Sequence, residues 1–327
     1  MTVRWGFLGA GWIAATAMAP AVHGAANATL QAVASRDRKR AMALAPITVH
    51  NSYEALLADP QVDAVYISLA NHQHCEWSIK ALNAGKDVLC EKPLAMNSAE
   101  ARLMADTAVA NDRLLVEAIW SRWHPRFVRM VDLVQSGAIG ELREIDSVFT
   151  FQGSLAGNYR LDPEMGGGRV YELGPYQLHL WVALAGADLD FKISSVNQNN
   201  GSTGVDLTTQ ISGVLSNDVS ITAVTSFARA EAQHLSVTGV LATLEFVGNE
   251  AFTSWKAAST LRVDDRQEEF APVDAYQVMI EHMSARIKGE QSWLPSLRGS
   301  IRVMEILDQV RLTPASSPLN ESALQRL

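Results

Sequence analysis

The chain opens on an apolar strand that runs straight into glycine: Val3-Arg4-Trp5-Gly6-Phe7-Leu8, then Gly9-Ala10-Gly11-Trp12-Ile13-Ala14, then an alanine-rich stretch to His23. Few local patterns restrict a fold so tightly. In a G-x-G-x-x-A spacing the first glycine allows a tight turn and the second lets the backbone approach a pyrophosphate. The small third residue lets the following helix pack close to the strand. The helix N-terminus then offers free N–H groups and a partial positive charge to the phosphates. A glycine turn alone is common, but between a strand and a helix at the chain start it reads as a dinucleotide fingerprint. Gly9, Gly11, Trp12 and Ile13 are therefore candidate cofactor contacts.

Strands and helices alternate from there to residue 120. Strands are expected at 30–34, 48–50, 64–69, 88–90 and 114–117. Helices are expected over 38–45, from Ser52 as an N-cap, from about His74 to a C′ glycine at Gly85, and from an Asn97-Ser98-Ala99-Glu100 capping box. Ala64 to Leu69 is continuously apolar, as in sheets buried on both faces. This alternation predicts an α/β Rossmann unit with a doubly wound parallel sheet. Ligands of such sheets collect beyond the carboxyl ends of the strands. The tripeptide Glu91-Lys92-Pro93 sits at one such end, so Lys92 is fixed where a cofactor would lie.

The end of the second strand selects the cofactor. NAD sites place an acidic residue there for the ribose 2′-OH. This chain has Ser35-Arg36-Asp37-Arg38-Lys39-Arg40. A hydroxyl and a guanidinium suit a 2′-phosphate, which favours NADP(H); Asp37 keeps NAD(H) open.

At 327 residues the chain is long for one core, and two domains are expected, 1–120 and 121–327. The net charge of −8, with no long basic run, argues against nucleic acid as a partner. Cys75 and Cys90 lie in no metal or redox spacing, and two cysteines in so long a chain suit a reducing compartment. The N-terminus has no signal-peptide layout and no apolar run could span a bilayer, so a soluble cytoplasmic protein without a metal is expected.

After Trp120 the pattern changes. A helix over 125–136 is followed by strands at 141–151, 191–197, 206–215, 218–227, 233–240 and 242–247, and helices near 274–288 and 296–311 close the chain. Polar and apolar residues alternate in several of these strands, so a C-terminal α+β domain with a large, mostly antiparallel open sheet is expected. Such a face commonly becomes a subunit interface, here a homodimer or homotetramer. Between the strands lies Met165-Gly166-Gly167-Gly168-Arg169-Val170-Tyr171-Glu172-Leu173-Gly174-Pro175-Tyr176-Gln177-Leu178-His179. In one continuous helix Glu172, Tyr176 and His179 share a face; if Pro175 is instead N1, Glu172 lies in the turn before it. His179 is read equally well as a core histidine.

Together these motifs resemble the glucose–fructose oxidoreductase / inositol dehydrogenase family (Gfo/Idh/MocA) over nearly the whole chain. The resemblance rests on Gly9-x-Gly11-x-x-Ala14, Asn71-His72-Gln73-His74, Glu91-Lys92-Pro93, Gly166-Gly167-Gly168, the Glu172 to Tyr176 segment and Tyr276 to Glu281. The stretch Glu117 to Pro125 is similar to the branch with dimeric dihydrodiol dehydrogenases and NADP-dependent aldose dehydrogenases. The resemblance implies a catalytic Lys92, with Asn71 and Glu91 near the nicotinamide end of the cofactor. Leu69, His74 and Lys92 itself join the candidate cofactor contacts. Tyr176 matches the His/Tyr that follows an aspartate by four residues in the family, and Glu172 stands where aspartate is usual.

The activity implied is hydride transfer between nicotinamide and a hydroxyl or carbonyl carbon of a sugar, cyclic polyol or related diol. A tyrosine acid/base has an unperturbed pKa of about 10. A nearby ammonium such as that of Lys92 favours phenolate and polarises the substrate oxygen. Glu172 would orient Lys92 or a substrate hydroxyl, and His179 is a second acid/base candidate and substrate contact. Trp120, Arg122 and Trp123 suit a polyhydroxylated or aromatic ring and equally suit interdomain packing; Arg160 is a further candidate. Two alternatives stay open at this point, a non-catalytic dinucleotide-binding regulator and a redox-assisted glycosidase or lyase that recycles its cofactor.

Overall fold

The computed structural model describes residues 2–152, 157–248 and 250–314. By contact the chain divides into two units, Met1–His124 with Val273–Ile301, and Pro125–Pro272 with Arg302–Leu327. In the first unit β1 (Val3–Leu8), β2 (Ala28–Ala34), β3 (Thr48–His50), β4 (Ala64–Ile67), β5 (Asp87–Glu91) and β6 (Leu115–Ala118) form one sheet in the order β3-β2-β1-β4-β5-β6. Every pairing is parallel. The strand order reverses between β1 and β4, which is the switch point where a doubly wound sheet binds ligands.

The central strands are apolar because helices cover both faces. Trp5, Phe7 and Leu8 of β1 and Tyr66 and Ile67 of β4 are fully buried, and the Phe7 and Tyr66 rings meet edge-on at 4.9 Å. Each such side chain contributes about 1.5–3 kcal/mol by burial. The register pairs Leu8 with Ile67, Ile67 with Cys90 and Glu91 with Ala118, so the carboxyl ends finish level.

The helix starts follow their caps. Ser52 Oγ accepts from the Ala55 amide at 3.1 Å, and Asn97 Oδ1 accepts from the Glu100 amide at 2.9 Å. Glu100 reaches back one residue further than a standard box, accepting from the Met96 amide at 3.0 Å. The alanine-rich stretch winds first as a π-helix, Ala14–Met18, and then as an α-helix, Ala19–Gly24.

A return of residues 273–301 to the first unit was not foreseen from the sequence. Trp5 Nε1 donates to Ser284 Oγ at 3.1 Å, and Asn27 Nδ2 donates to the Glu281 carbonyl at 2.8 Å. These bonds tie the helix Ala275–Ile287 to the start of β1 and the turn before β2.

The second unit holds β7 (Leu142–Thr150), β8 (Phe191–Asn200), β9 (Asp206–Leu215), β10 (Ser220–Ser226), β11 (Ala232–Gly239), β12 (Thr243–Phe246), β13 (Ser259–Val263) and β14 (Arg266–Phe270). They form one sheet in the order β14-β13-β12-β11-β7-β10-β9-β8, antiparallel except for β7 with β10. The β13–β14 hairpin escaped the sequence reading. Its turn uses Asp264 at φ +50° in place of glycine, and β14 is the charged edge strand Arg-Gln-Glu-Glu-Phe, which has no apolar face to reveal it. Among the described residues no helix is long and apolar enough to cross a membrane. Asn97→Ala should lower unfolding free energy by about 1 kcal/mol in denaturant titration, with cofactor binding unchanged.

Candidate active site

The carboxyl edge of the parallel sheet is built around Gly9 and Gly11. Gly9 sits at φ +98°, and a Cβ there would lie 2.6 Å from the Ser68 carbonyl oxygen. A Cβ on Gly11 would meet nothing within 4 Å, so the backbone there faces open space. Ala14 is fully buried. A cramped turn, an open approach and a buried small residue are what a pyrophosphate cradle requires, and these residues fit a dinucleotide. Trp12 is 69% exposed and Ile13 is half-buried beside it.

After β2, Ser35 is half-buried and Arg36 is exposed. Asp37 caps the helix Arg38–Ala43, accepting from the Arg40 amide at 3.1 Å and lying 3.5 Å from its guanidinium. One oxygen of its carboxylate thereby serves the helix start.

Lys92 leaves β5 on a corner held by buried polar groups. Glu91, 8% exposed, accepts from the Tyr66 hydroxyl at 2.6 Å through Oε1 and from the Lys92 amide at 3.3 Å through Oε2. Burial and the Glu91 charge push the Tyr66 phenol well above its ordinary range, so it remains a donor. The Lys92–Pro93 bond is cis. Beyond it the Leu94 amide donates to Glu117 Oε1 at 3.0 Å, and Glu117 is 2% exposed. Asn71 is 3% exposed in the short turn Asn71–Gln73, and Leu69 is half-buried just before it.

His74 corrects an expectation. Its ring is fully buried, with Nδ1 2.8 Å from the Pro93 carbonyl and Nε2 3.2 Å from the Leu69 carbonyl. Both ring nitrogens face main-chain carbonyls, so the ring lies inside the edge and not on its open side, where a cofactor contact was expected. Burial lowers its pKa, opposed by the two carbonyls.

Trp120 and Trp123, expected at a substrate, are 2% and 3% exposed. Trp120 packs against His124 and Tyr276, and Trp123 meets Trp293 edge-on at 5.7 Å. Their rings serve packing within the first unit. Arg122, between them, is half-buried with its guanidinium 5.7 Å over the Trp293 ring. Burial draws its pKa down to about 10, so it is still charged at neutral pH.

In the second unit the glycine-rich segment folds into two helical pieces, Arg169–Glu172 and Gly174–Ala185. The second expected form holds to within one residue, with Pro175 in the first turn of a new helix. The break falls at Leu173, the second helix begins at Gly174 ahead of Pro175, and Glu172 ends the first. Gly167 has no room for a Cβ, which would lie 2.6 Å from the carbonyl oxygens of Arg160 and Asp162. The Gly167 and Gly168 amides donate to Asp162 and Arg160 at 2.8 and 2.9 Å. That knot brings Arg160 to Glu172, whose carboxylate it grips twice, Nη2 to Oε1 at 3.0 Å and Nε to Oε2 at 2.8 Å. Tyr176 is half-buried, 5.8 Å edge-on to Phe149. Its helix is pinned to the sheet by Gln177 Nε2, which donates to the carbonyls of Ser147 and Val224, each at 3.2 Å. Leu173, Leu180 and Leu184 face the core, and His179 is only 1% exposed.

Residues 3–118 match an oxidoreductase family with an NAD-binding Rossmann fold, GFO/IDH/MocA, and residues 127–249 match the GFO/IDH/MocA C-terminal domain. D-xylose 1-dehydrogenase (NADP(+)) 2 of Haloferax volcanii is 33% identical, covering 94% of this chain and 96% of that protein. The chain belongs to the Gfo/Idh/MocA oxidoreductase family. Trans-1,2-dihydrobenzene-1,2-diol dehydrogenase of Mus musculus is 36% identical over 64% of each chain. Among solved structures, the 3-ketoreductase KijD10 of Actinomadura kijaniata, in complex with NADP and TDP-benzene, superposes with a TM-score of 0.86 at 25% identity, over 97% of this chain and 99% of that one.

Sequence reading missed three groups that shape this family member's site. Tyr66 and Glu117 are polar tips within otherwise apolar strands, Ala-Val-Tyr-Ile and Leu-Val-Glu-Ala, and that mismatch was the available signal. Trp293 lies in an irregular stretch with no motif to mark it. Gly9→Ala should lower the unfolding midpoint and weaken dinucleotide binding at least about tenfold in fluorescence titration, because strain and a backbone clash both act there.

Proposed function

We propose that this oxidoreductase prefers NADP(H) and acts on a hydroxyl or carbonyl carbon of a sugar, cyclic polyol or related diol. The observation that carries the reading is the Lys92 corner, a lysine fixed at the carboxyl edge of β5 by Tyr66, Glu91 and Glu117. The curated relatives named for NADP-linked xylose and dihydrodiol chemistry point the same way. A bound nicotinamide supplies or accepts the hydride. Gly9 and Gly11 take the pyrophosphate, Ser35 and Arg36 the 2′-phosphate, and Asn71 and Glu91 border the nicotinamide end.

Lys92 donates to the substrate oxygen and stabilises the charge it develops as hydride moves. Tyr176 gives or takes the accompanying proton, a role worth about 10²–10⁴ in rate. Glu172, held by Arg160, orients a substrate hydroxyl, and Arg122 and His179 are further substrate contacts. We assign the first unit to cofactor binding and the second to substrate binding and assembly, as a cytoplasmic homodimer or homotetramer through the eight-stranded sheet.

Tyr176→Phe should cut turnover with NADP⁺ and D-xylose, or with the active member of an aldose, polyol and diol panel, by about 100-fold or more. Its NADPH dissociation constant should stay within about threefold of the parent. Near-normal turnover would overturn the acid/base assignment. Arg36→Ala should weaken NADPH about tenfold or more while leaving NADH nearly unchanged; equal losses for both would reject the 2′-phosphate role.

A further inference from the structure

The His74 ring connects two segments that leave neighbouring strands at the same edge. Leu69, whose carbonyl faces Nε2 at 3.2 Å, follows β4 and precedes Asn71. Pro93, whose carbonyl faces Nδ1 at 2.8 Å, follows Lys92 directly. His74 begins the helix His74–Asn83, and its backbone N–H donates to the Asn71 carbonyl, which anchors it on the Leu69–Asn71 side. The ring is fully buried, and its contact with the Pro93 carbonyl is shielded from water. We propose that His74 is a positioning residue for Lys92, a strut that fixes the Lys92–Pro93 corner against the Leu69–Asn71 segment. The inference rests on the catalytic reading of Lys92 given above.

The two contacts are not equivalent. A neutral imidazole carries one N–H, and a carbonyl only accepts. The shorter contact, Nδ1 to Pro93, takes that hydrogen and makes the firmer bond. The ring therefore bonds the lysine corner and only packs against the Leu69 carbonyl. Placement matters here because a shift of about 1 Å in a catalytic group can cost about 10²-fold in rate.

Two conservative replacements separate the contacts. An asparagine amide places its donor near the position of Nδ1, and a glutamine amide places its donor near that of Nε2. His74→Asn keeps the bond to Pro93, whereas His74→Gln loses it and offers a donor to the Leu69 carbonyl instead. With NADP⁺ and D-xylose, kcat of His74→Gln should fall about tenfold or more and that of His74→Asn should stay within about threefold, with NADPH dissociation constants alike in both. Amide hydrogen exchange in the full chain gives a readout independent of turnover. His74→Gln should speed exchange over residues 92–96 about tenfold or more, and His74→Asn should not.

Equal exchange and equal kcat in the two variants would overturn the strut, as would loosening spread over the whole first unit. Lys92→Met separates the two readings. If it turns over normally while the exchange difference persists, the catalytic role of Lys92 falls and the strut stands. If it is inactive while Asn and Gln behave alike, the strut falls and the role of Lys92 stands.

Discussion

A hydrogen bond inside the parallel sheet carries the rest of the site. The Tyr66 hydroxyl of β4 reaches Glu91 at the end of β5 at 2.6 Å, and both groups are out of water. A carboxylate placed there without such a donor would be costly to bury. With it, Glu91 becomes a fixed acceptor whose other oxygen receives the Lys92 amide. Glu117 then holds the chain two residues beyond. Lys92 thus leaves a backbone restrained on both sides, and the sheet register sets that corner level with the Gly9 turn and the Leu69–Asn71 segment.

The second unit solves a comparable problem by different means. Its glycine-rich segment crosses close to the Arg160–Asp162 backbone, and only residues lacking a Cβ permit that approach. The closeness sets a guanidinium against Glu172 in two-point contact, a geometry suited to a carboxylate. Glu172 is one methylene longer than an aspartate, and both of its oxygens lie on Arg160. Gln177 fixes the helix that carries Tyr176, spanning β7 and β10 where they run parallel.

Much of the first unit was legible because its chemistry is local. The G-x-G-x-x-A turn, the Ser52 and Asn97 caps and the apolar run of β4 each record one physical requirement in adjacent residues. The Lys92 corner was legible in place but not in cause, since Tyr66 and Glu117 reach it across strands distant in sequence. The surroundings of His74 were hidden in the same way, since its ring lies between the carbonyls of Leu69 and Pro93. The break at Leu173 was hidden because Pro175 and Gly174 compete to start one helix, and propensity does not decide between adjacent positions. β14 was hidden because an edge strand exposed on both faces need not alternate.

The proposed function gives Lys92 the charge that develops on the substrate oxygen and gives Tyr176 the proton. A double-mutant cycle on kcat, with Lys92→Met, Tyr176→Phe and the combined variant, tests it most directly. Residues that act together are grossly non-additive. The account predicts that the combined variant is slower than the worse single variant by no more than about threefold. Two losses that simply multiply would contradict it.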